Sequence, residues 1–148
     1  MRIQEIENYF TTNDFDGLIN DLQDTFDKID GLENMFISNI SDDGALCREI
    51  ISQLTGYCMY LISPAKLAEA YIKNEECIFY NKTRIAILNK GGKFVSAAVD
   101  KEASEHVKDF RRIRNILDAY IDKCRTGIST CQSIIKSLTE EQKMIGHN

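Results

Sequence analysis

The sequence predicts an all-α protein, and three observations support that prediction. Only one proline occurs in 148 residues, and apolar residues recur at spacings of three and four almost throughout, which is the spacing of one face of a helix. No segment shows a convincing β-strand pattern. The predicted architecture is a long antiparallel helical hairpin (about 64–90 and 97–140) with shorter N-terminal helices, coiled-coil-like packing and self-association.

Two helices are predicted in the first forty residues. The opening helix is expected to stop near Thr11–Asn13, where small polar residues interrupt the apolar spacing. A second helix should follow, with Thr12 or Asn13 as its N-cap and with Gly31 as a candidate break. Its apolar stripe comprises Phe15, Leu18, Leu22, Phe26, Ile29, Phe36 and Ile40.

A third helix is predicted after a turn at Ser41–Gly44. Its apolar stripe comprises Leu46, Ile50, Leu54, Tyr57 and Leu61. Ser63 and Pro64 then have the pattern of an N-cap followed by proline at the first helical position. We therefore expect the helix to restart or kink there.

The first arm of the hairpin continues this stripe to Gly91-Gly92, where a helix is expected to end and the chain to reverse. The apolar members of the stripe are Leu67, Tyr71, Ile78, Ile85 and Leu88. Asn74 and Asn81 occupy polar steps in the same seam. Polar residues in such seams often set register or partner number in coiled coils.

The second arm, with Ser96 as a candidate cap, has the longest heptad pattern of the chain. The seam keeps a 4-3 alternation through Val99, Ala103, His106, Phe110, Ile113, Leu117, Tyr120, Cys124, Gly127, Cys131, Ile134 and Leu138. A helix over 97–140 would run roughly 65 Å at 1.5 Å per residue, so it should pair with another long helix, in the same chain or in another subunit. The residues predicted to form this hairpin or oligomer seam are Phe110, Ile113, Leu117, Tyr120, Ile134 and Leu138. Gly127 weakens the seam and is a candidate bend.

Charge is divided unevenly along the chain. The net charge is −5, but residues 1–65 hold 3 basic and 12 acidic side chains (net −9), whereas residues 66–148 hold 15 basic and 11 acidic (net +4). We therefore predict an acidic helical N-terminal part, 1–62, and a basic helical hairpin, 63–148, within a single domain.

Several classes of protein are disfavoured. Five cysteines, an odd number without paired C-x-x-C spacing, argue against a disulfide framework and a zinc site, so reduced and mostly buried thiols are expected. Neither a signal peptide nor a membrane span is apparent, and we expect the cytoplasm, that of the host if the chain is phage-encoded. No catalytic or nucleotide-binding motif is present, and the only histidines are His106, in the seam, and His147. We therefore predict a protein that is not an enzyme and has no cofactor or metal.

The basic residues around Gly91-Gly92 form the candidate functional site. Residues 77–99 contain Lys82, Arg84, Lys90 and Lys93 but no acidic residue, and no charged residue lies three or four positions from Lys82 or Arg84. Basic surfaces with aromatic side chains suit single-stranded nucleic acid. The predicted DNA-binding residues are Lys82, Arg84, Lys90, Lys93, Lys101, Lys108 and Arg111, with Tyr80 and Phe94 as possible stacking faces. The alternative is that these lysines only keep a hairpin tip soluble and that Phe94 and Tyr80 pack inward.

The order of features resembles a known family. A helix bearing Lys82-Thr83-Arg84 is followed by I-A-I-L, a glycine-basic turn, a Ser/Ala-rich restart with V-D-K-E, and a long final helix. Over residues 66–138 this resembles the phage recombination mediators, which load a strand-exchange recombinase onto single-stranded DNA. Residues 54–76 are also similar to small helical proteins encoded near the recombination genes of tailed phages. The resemblance implies an all-helical homo-oligomer, in the form of a ring, that binds single-stranded DNA through Lys82 and Arg84. It also implies contacts with a recombinase and a single-strand binding protein.

The acidic first 65 residues support a rival hypothesis. They are longer and more negative than the family pattern leads us to expect. The rival is a protein-binding inhibitor or phage anti-defence adaptor, whose acidic N-terminal helices imitate nucleic acid or dock on a basic host protein. A solvated acidic face is the simpler explanation of the same charges.

Overall fold

The computed structural model describes residues 1–38, 40 and 43–146, and these residues form five α-helices and no strand. The all-α prediction is confirmed. None of the helices in this part of the chain is both long and apolar enough to cross a membrane. The helices are α1 (Ile3–Thr11), α2 (Phe15–Ile37), α3 (Gly44–Asn89), α4 (Ser96–His106) and α5 (Lys108–Gly146).

The second helix differs from the prediction in two respects, namely its N-cap residue and its continuation through Gly31. α1 ends at Thr11 as expected, and Asn13 adopts a left-handed conformation with φ of 56°. The cap of α2 is Asp14, not Thr12 or Asn13, because the Asp14 carboxylate accepts a hydrogen bond of 3.0 Å from the Gly17 amide. Gly31 does not break α2, which continues to Ile37.

α3 begins earlier than the predicted hairpin arm. The predicted restart at Ser63–Pro64 is wrong, since α3 runs through Pro64 and its cap is Asp43, whose carboxylate accepts a 2.8 Å hydrogen bond from the Leu46 amide. Leu61 and Ala65 on either side of the proline are buried, and their burial offsets a helix-interior proline cost of about 3 kcal/mol. Of the predicted turn, Ser41 and Asp42 lie outside the described residues.

The chain divides into two compact units. The first unit contains Met1–Ile19 and Ser63–Ile116, and aromatic rings join its helices. The Phe110 ring of α5 stacks on Tyr71 of α3 at 5.6 Å between centroids and meets Phe15 edge-on at 4.9 Å. Phe10 of α1 lies 5.1 Å from Tyr71 and 5.6 Å from Phe110. These contacts pack α3 against α5 in this unit.

The second predicted arm is divided in two by a break at Val107. Val107 has φ of −102° and ψ of 12°, which ends α4, and α5 starts at the next residue. The predicted seam placed His106 in the core, but Val107 is fully buried and the His106 side chain is 43% exposed. At the break the buried position is taken by the apolar valine, and the imidazole stays near water, while the seam residues on both sides keep their predicted register.

The second unit contains Asn20–Ile62 and Leu117–Asn148. Tyr120 stacks on Phe26 at 4.1 Å and donates a 2.9 Å hydrogen bond to the Asp30 carboxylate. Lys123 donates to Asp30 at 2.8 Å and to Glu33 at 2.6 Å. The hydrogen bond from Lys123 lowers the pKa of Asp30, and the carboxylates of Asp30 and Glu33 raise the pKa of Lys123. Lys123 and Asp30 therefore both stay charged at neutral pH.

Gly127 lets α3 approach α5 closely within the second unit. A Cβ atom at this position would lie 2.6 Å from Leu54 Cδ1 and 3.3 Å from the Phe36 ring. α5 continues as one helix through this glycine to Gly146, so the glycine serves close packing and does not end the helix.

The turn after α3 is formed as predicted. Gly91 has φ of 70°, its amide donates to the Leu88 carbonyl, and the Gly92 amide donates to the Ile87 carbonyl, both at 3.0 Å. This pair of hydrogen bonds is the Schellman motif, which needs a left-handed residue after the cap. The motif ends α3 and reverses the chain toward α4.

Replacing Gly91 tests this turn. Gly91→Ala should lower the free energy of unfolding by about 1 kcal/mol, because a side chain disfavours the left-handed conformation. Gly31→Ala is the matched control: nothing lies within 4 Å of its added Cβ, and alanine in a helix should raise stability by roughly 0.5–1 kcal/mol. Chemical denaturation measures both, and equal shifts in the two variants would contradict the turn.

The cysteines provide a second test. All five are free thiols, of which Cys47, Cys58, Cys124 and Cys131 are buried and Cys77 is exposed. Burial raises the pKa of Cys124 and Cys131 to about 11, which further slows their reaction with alkylating reagents. At low protein concentration we expect rapid labelling of one thiol in the native chain and of five in denaturant. Rapid labelling that persists in Cys77→Ser would show that the core packing is wrong.

Candidate functional site

The last turns of α3 are held by aromatic contacts within the first unit. Phe79 stacks on the His106 imidazole of α4 at 4.6 Å, and His106 Nε2 lies 3.7 Å from the Glu75 carboxylate. Tyr80 meets the Phe94 ring edge-on at 5.9 Å, and both residues are half-buried. The two predicted stacking residues therefore contact each other, and this contact reduces the ring surface that is open to a base.

A groove of about 580 Å³ lies along this part of α3. Lys82 and Lys90 lie in its wall with the Thr83 hydroxyl between them along the helix, and His106 lines it from α4. Lys82 and Lys90 are eight residues apart, so their side chains diverge by only about 80° and are separated by roughly 12 Å along the helix axis. The full lining is Glu75, Ile78, Phe79, Lys82, Thr83, Ala86, Ile87, Lys90 and His106.

Four predicted cations keep their charge unpaired in the described part of the chain. No carboxylate among the described residues lies within 4.0 Å of Lys82, Arg84, Lys90 or Lys93. All four are exposed. Arg84 diverges from Lys82 by about 200° and so points away from the groove.

The other three predicted cations are less available. Lys108 donates to Glu105 at 2.6 Å, which raises the pKa of the lysine and lowers that of the glutamate. Arg111 bonds to Glu76 at 3.2 Å and to the Ser104 hydroxyl at 2.7 Å. Local spacing did not reveal the Glu76 contact, because this partner lies on α3, 35 residues earlier in the chain. Lys101 is exposed and weakly attracted to Glu105.

The seam residues predicted on the last helix lie inside the chain. Phe110, Ile113 and Leu117 are buried, and Tyr120, Ile134 and Leu138 are half-buried. On α3, by contrast, the continuation of the first-arm stripe is open to solvent: Ile78 is 58% exposed, Ile85 56% and Leu88 53%. Of the two predicted stripes, as far as the described residues show, the one that remains exposed is therefore on α3.

The acidic face of α2 is partly neutralised by neighbours. In the second unit Lys28 pairs with Asp24 at 2.5 Å, Lys123 pairs with Asp30 and Glu33, and Gln23 donates to Asp27 at 2.7 Å. In the first unit Arg112 lies 3.4 Å from Asp16. This face presents less free negative charge than the count of acidic residues indicates.

Thr83 and Glu75 were not among the predicted site residues. Each lies four residues from Phe79, so all three side chains share one face of α3. This spacing is visible in the sequence and could have identified them. The seam position of His106 predicts a core or interface histidine, because the break at Val107 has no marker in the heptad pattern.

Comparison with protein-family models, with curated proteins and with solved structures finds no match. Within the described ranges, no group of three or more His, Cys, Asp or Glu side chains is placed to hold a metal ion.

Proposed function

We propose that this protein binds single-stranded DNA through the end of α3, as a non-enzymatic recombination mediator of the phage type. The observation that supports this most directly is the set of four exposed cations, Lys82, Arg84, Lys90 and Lys93, with no carboxylate at ion-pair distance among the described residues. Unpaired cations release the counterions of a phosphate chain when they bind it, and that release drives association.

The groove geometry suits a single strand. Lys82 and Lys90 are separated by roughly 12 Å along the same side of α3, so they can contact different phosphates of one strand. Thr83 lies between them along the helix, and its hydroxyl group can donate a further hydrogen bond to a phosphate oxygen. Tyr80 and Phe94 pack against each other and are half-buried, so phosphate contacts should dominate and sequence preference should be small.

Salt dependence tests DNA binding. With about four phosphates contacted per subunit, log affinity should fall with log salt at a slope near −3, using roughly 0.7 per phosphate. Lys82→Ala/Lys90→Ala should remove two contacts, weaken binding by at least about tenfold at low salt, and bring the slope near −1.4. Fluorescence anisotropy with a labelled oligonucleotide measures both quantities.

A matched control lies on the same helix. Lys66 and Lys73 both contact Glu69 at 3.0 Å, and their hydrogen bonds lower the pKa of Glu69 to about 2. Lys66→Ala/Lys73→Ala removes the same formal charge from a group that the Glu69 carboxylate already partly neutralises, so affinity should change little. Equal losses in the two double variants, or no binding at low salt, would contradict the proposed site.

The wider role rests on the family resemblance of residues 66–138. A mediator of that kind acts as a homo-oligomer whose copies each bind DNA weakly and together bind it strongly. Its protein partners would be a strand-exchange recombinase and a single-strand binding protein. The chain itself would perform no catalysis and would carry no cofactor.

The mediator role predicts faster recombinase assembly. Adding the protein to single-stranded DNA coated with a phage single-strand binding protein should shorten the lag before a phage recombinase forms filaments. The Lys82→Ala/Lys90→Ala variant should not shorten it, because it cannot hold the strand. Filament-dependent ATP hydrolysis reports the lag.

A different result would favour the acidic rival. In that case the variant would keep a host protein captured from lysate, and changing Asp21, Asp24 and Asp27 of α2 to asparagine would lose it. No effect of the wild-type protein on the lag would remove the mediator role even if DNA binding were observed.

A further inference from the structure

The exposed side of α3 carries a continuous 4-3 seam. Its members, here called the α3 seam, are Asn74, Ile78, Asn81, Ile85 and Leu88, and all five are exposed. The same alternation begins at Leu67 and Tyr71, which are half-buried, and Tyr71 packs on Phe10 and Phe110. The stripe thus passes from the core of the first unit onto an uncovered surface without changing its spacing.

Three half-exposed aliphatic side chains on one helix face form a stripe that a soluble surface rarely leaves open unless it has a partner. Heptad positions identify that partner. Ile78 and Ile85 occupy position a and Leu88 occupies position d, the combination that favours two strands when the helices are parallel. Apolar residues at a 4-3 spacing pack best against another helix that has the same spacing. The α3 helix of a second copy has that spacing by identity.

The asparagines decide the orientation. Asn74 and Asn81 both occupy position d, whereas the residues at position a are Tyr71, Ile78 and Ile85. In an antiparallel pair, position a of one helix faces position d of the other, so each asparagine would face an apolar side chain and lose its hydrogen bonds. In a parallel, in-register pair Asn81 faces Asn81, and the two amides can donate to and accept from each other. Within the described chain the Asn81 amide has only a weak 3.5 Å contact with Cys77 Sγ.

Charge is compatible with this arrangement. Lys82 lies at position e and Arg84 at position g, on the two flanks of the seam. In a parallel pair, position g of one copy faces position e of the next heptad in the other, which places Arg84 opposite Asn89 and Cys77 opposite Lys82. Neither of these facing pairs joins two like charges, although Lys82 of one copy lies on the same flank as Arg84 of the other.

We propose that the α3 seam is covered by the α3 seam of a second copy of this chain, parallel and in register. This deepens the proposed function by identifying the surface that joins copies. The biological role of this interface rests on the proposed DNA binding. The self-association itself does not, since it can be measured without DNA. The interface differs from the seam predicted on the last helix, of whose residues Phe110, Ile113 and Leu117 are already buried within the chain.

The first experiment measures mass without DNA. Sedimentation equilibrium of the full chain over a wide concentration range should show a mass that rises above the 16.9 kDa of one chain. Ile85→Asp should hold the mass at 16.9 kDa, because a carboxylate would be buried in the seam. Met59→Asp is the matched control: Met59 lies on the same helix and is 69% exposed but is off the 4-3 stripe, so its assembly should equal the wild type.

The second experiment tests orientation by disulfide trapping in the Cys77→Ser background, where the remaining thiols are buried. Equivalent a positions of parallel helices bring their Cα atoms to about 6 Å, a distance that a disulfide spans. Ile85→Cys should therefore give a covalent dimer on mild oxidation, and Met59→Cys should not.

Three outcomes would overturn the proposal. A wild-type mass of 16.9 kDa at every concentration would assign the face to a different protein. Equal loss of assembly in Ile85→Asp and Met59→Asp would place the interface elsewhere. Assembly without trapping at Ile85→Cys would exclude the parallel register. DNA binding by a monomeric chain would keep the proposed function while removing this interface.

Discussion

The apolar side of α5 is the constraint on which the other helices depend. Phe110 contacts α1 through Phe10, α2 through Phe15 and α3 through Tyr71, and Arg111 binds Ser104 of α4. Farther along α5, Tyr120 holds α2 and Gly127 admits Leu54 of α3. Because one helix supplies a partner to every other helix, its heptad pattern has to be satisfied within the chain. Little of it remains for contacts with a second copy.

Helical periodicity was sufficient to predict the α5 core, since residues at spacings of three and four share a face in any helix. The same rule failed at His106, because a one-residue break after α4 changes which residue faces inward, and no residue type marks that break. It also failed to separate Phe110 from Ile85: spacing shows which residues share a face but not what covers it. Both stripes look alike in the sequence, yet only one finds a partner in the fold.

The ion pairs also differ in whether the sequence could predict them, depending on how far apart the partners lie in the chain. The pairing of Lys108 with Glu105 could be anticipated from a spacing of three residues, whereas that of Arg111 with Glu76 required the packing of α5 on α3. The candidate site therefore contains fewer available cations than the sequence indicated. Its strongest members are the residues of α3 and its turn, where a helix end extends beyond the carboxylates of its neighbours.

The α3 seam resolves a difficulty in the proposed DNA contact. Lys82 and Arg84 diverge by about 200° on one helix, so a single copy cannot present both to the same strand. In a parallel pair, position e of one helix and position g of the other lie on the same side of the interface. Lys82 of one copy then joins Arg84 of the second copy on each flank, next to a groove that also contains Lys90. Pairing through the apolar stripe would bring together cations that the single helix keeps apart.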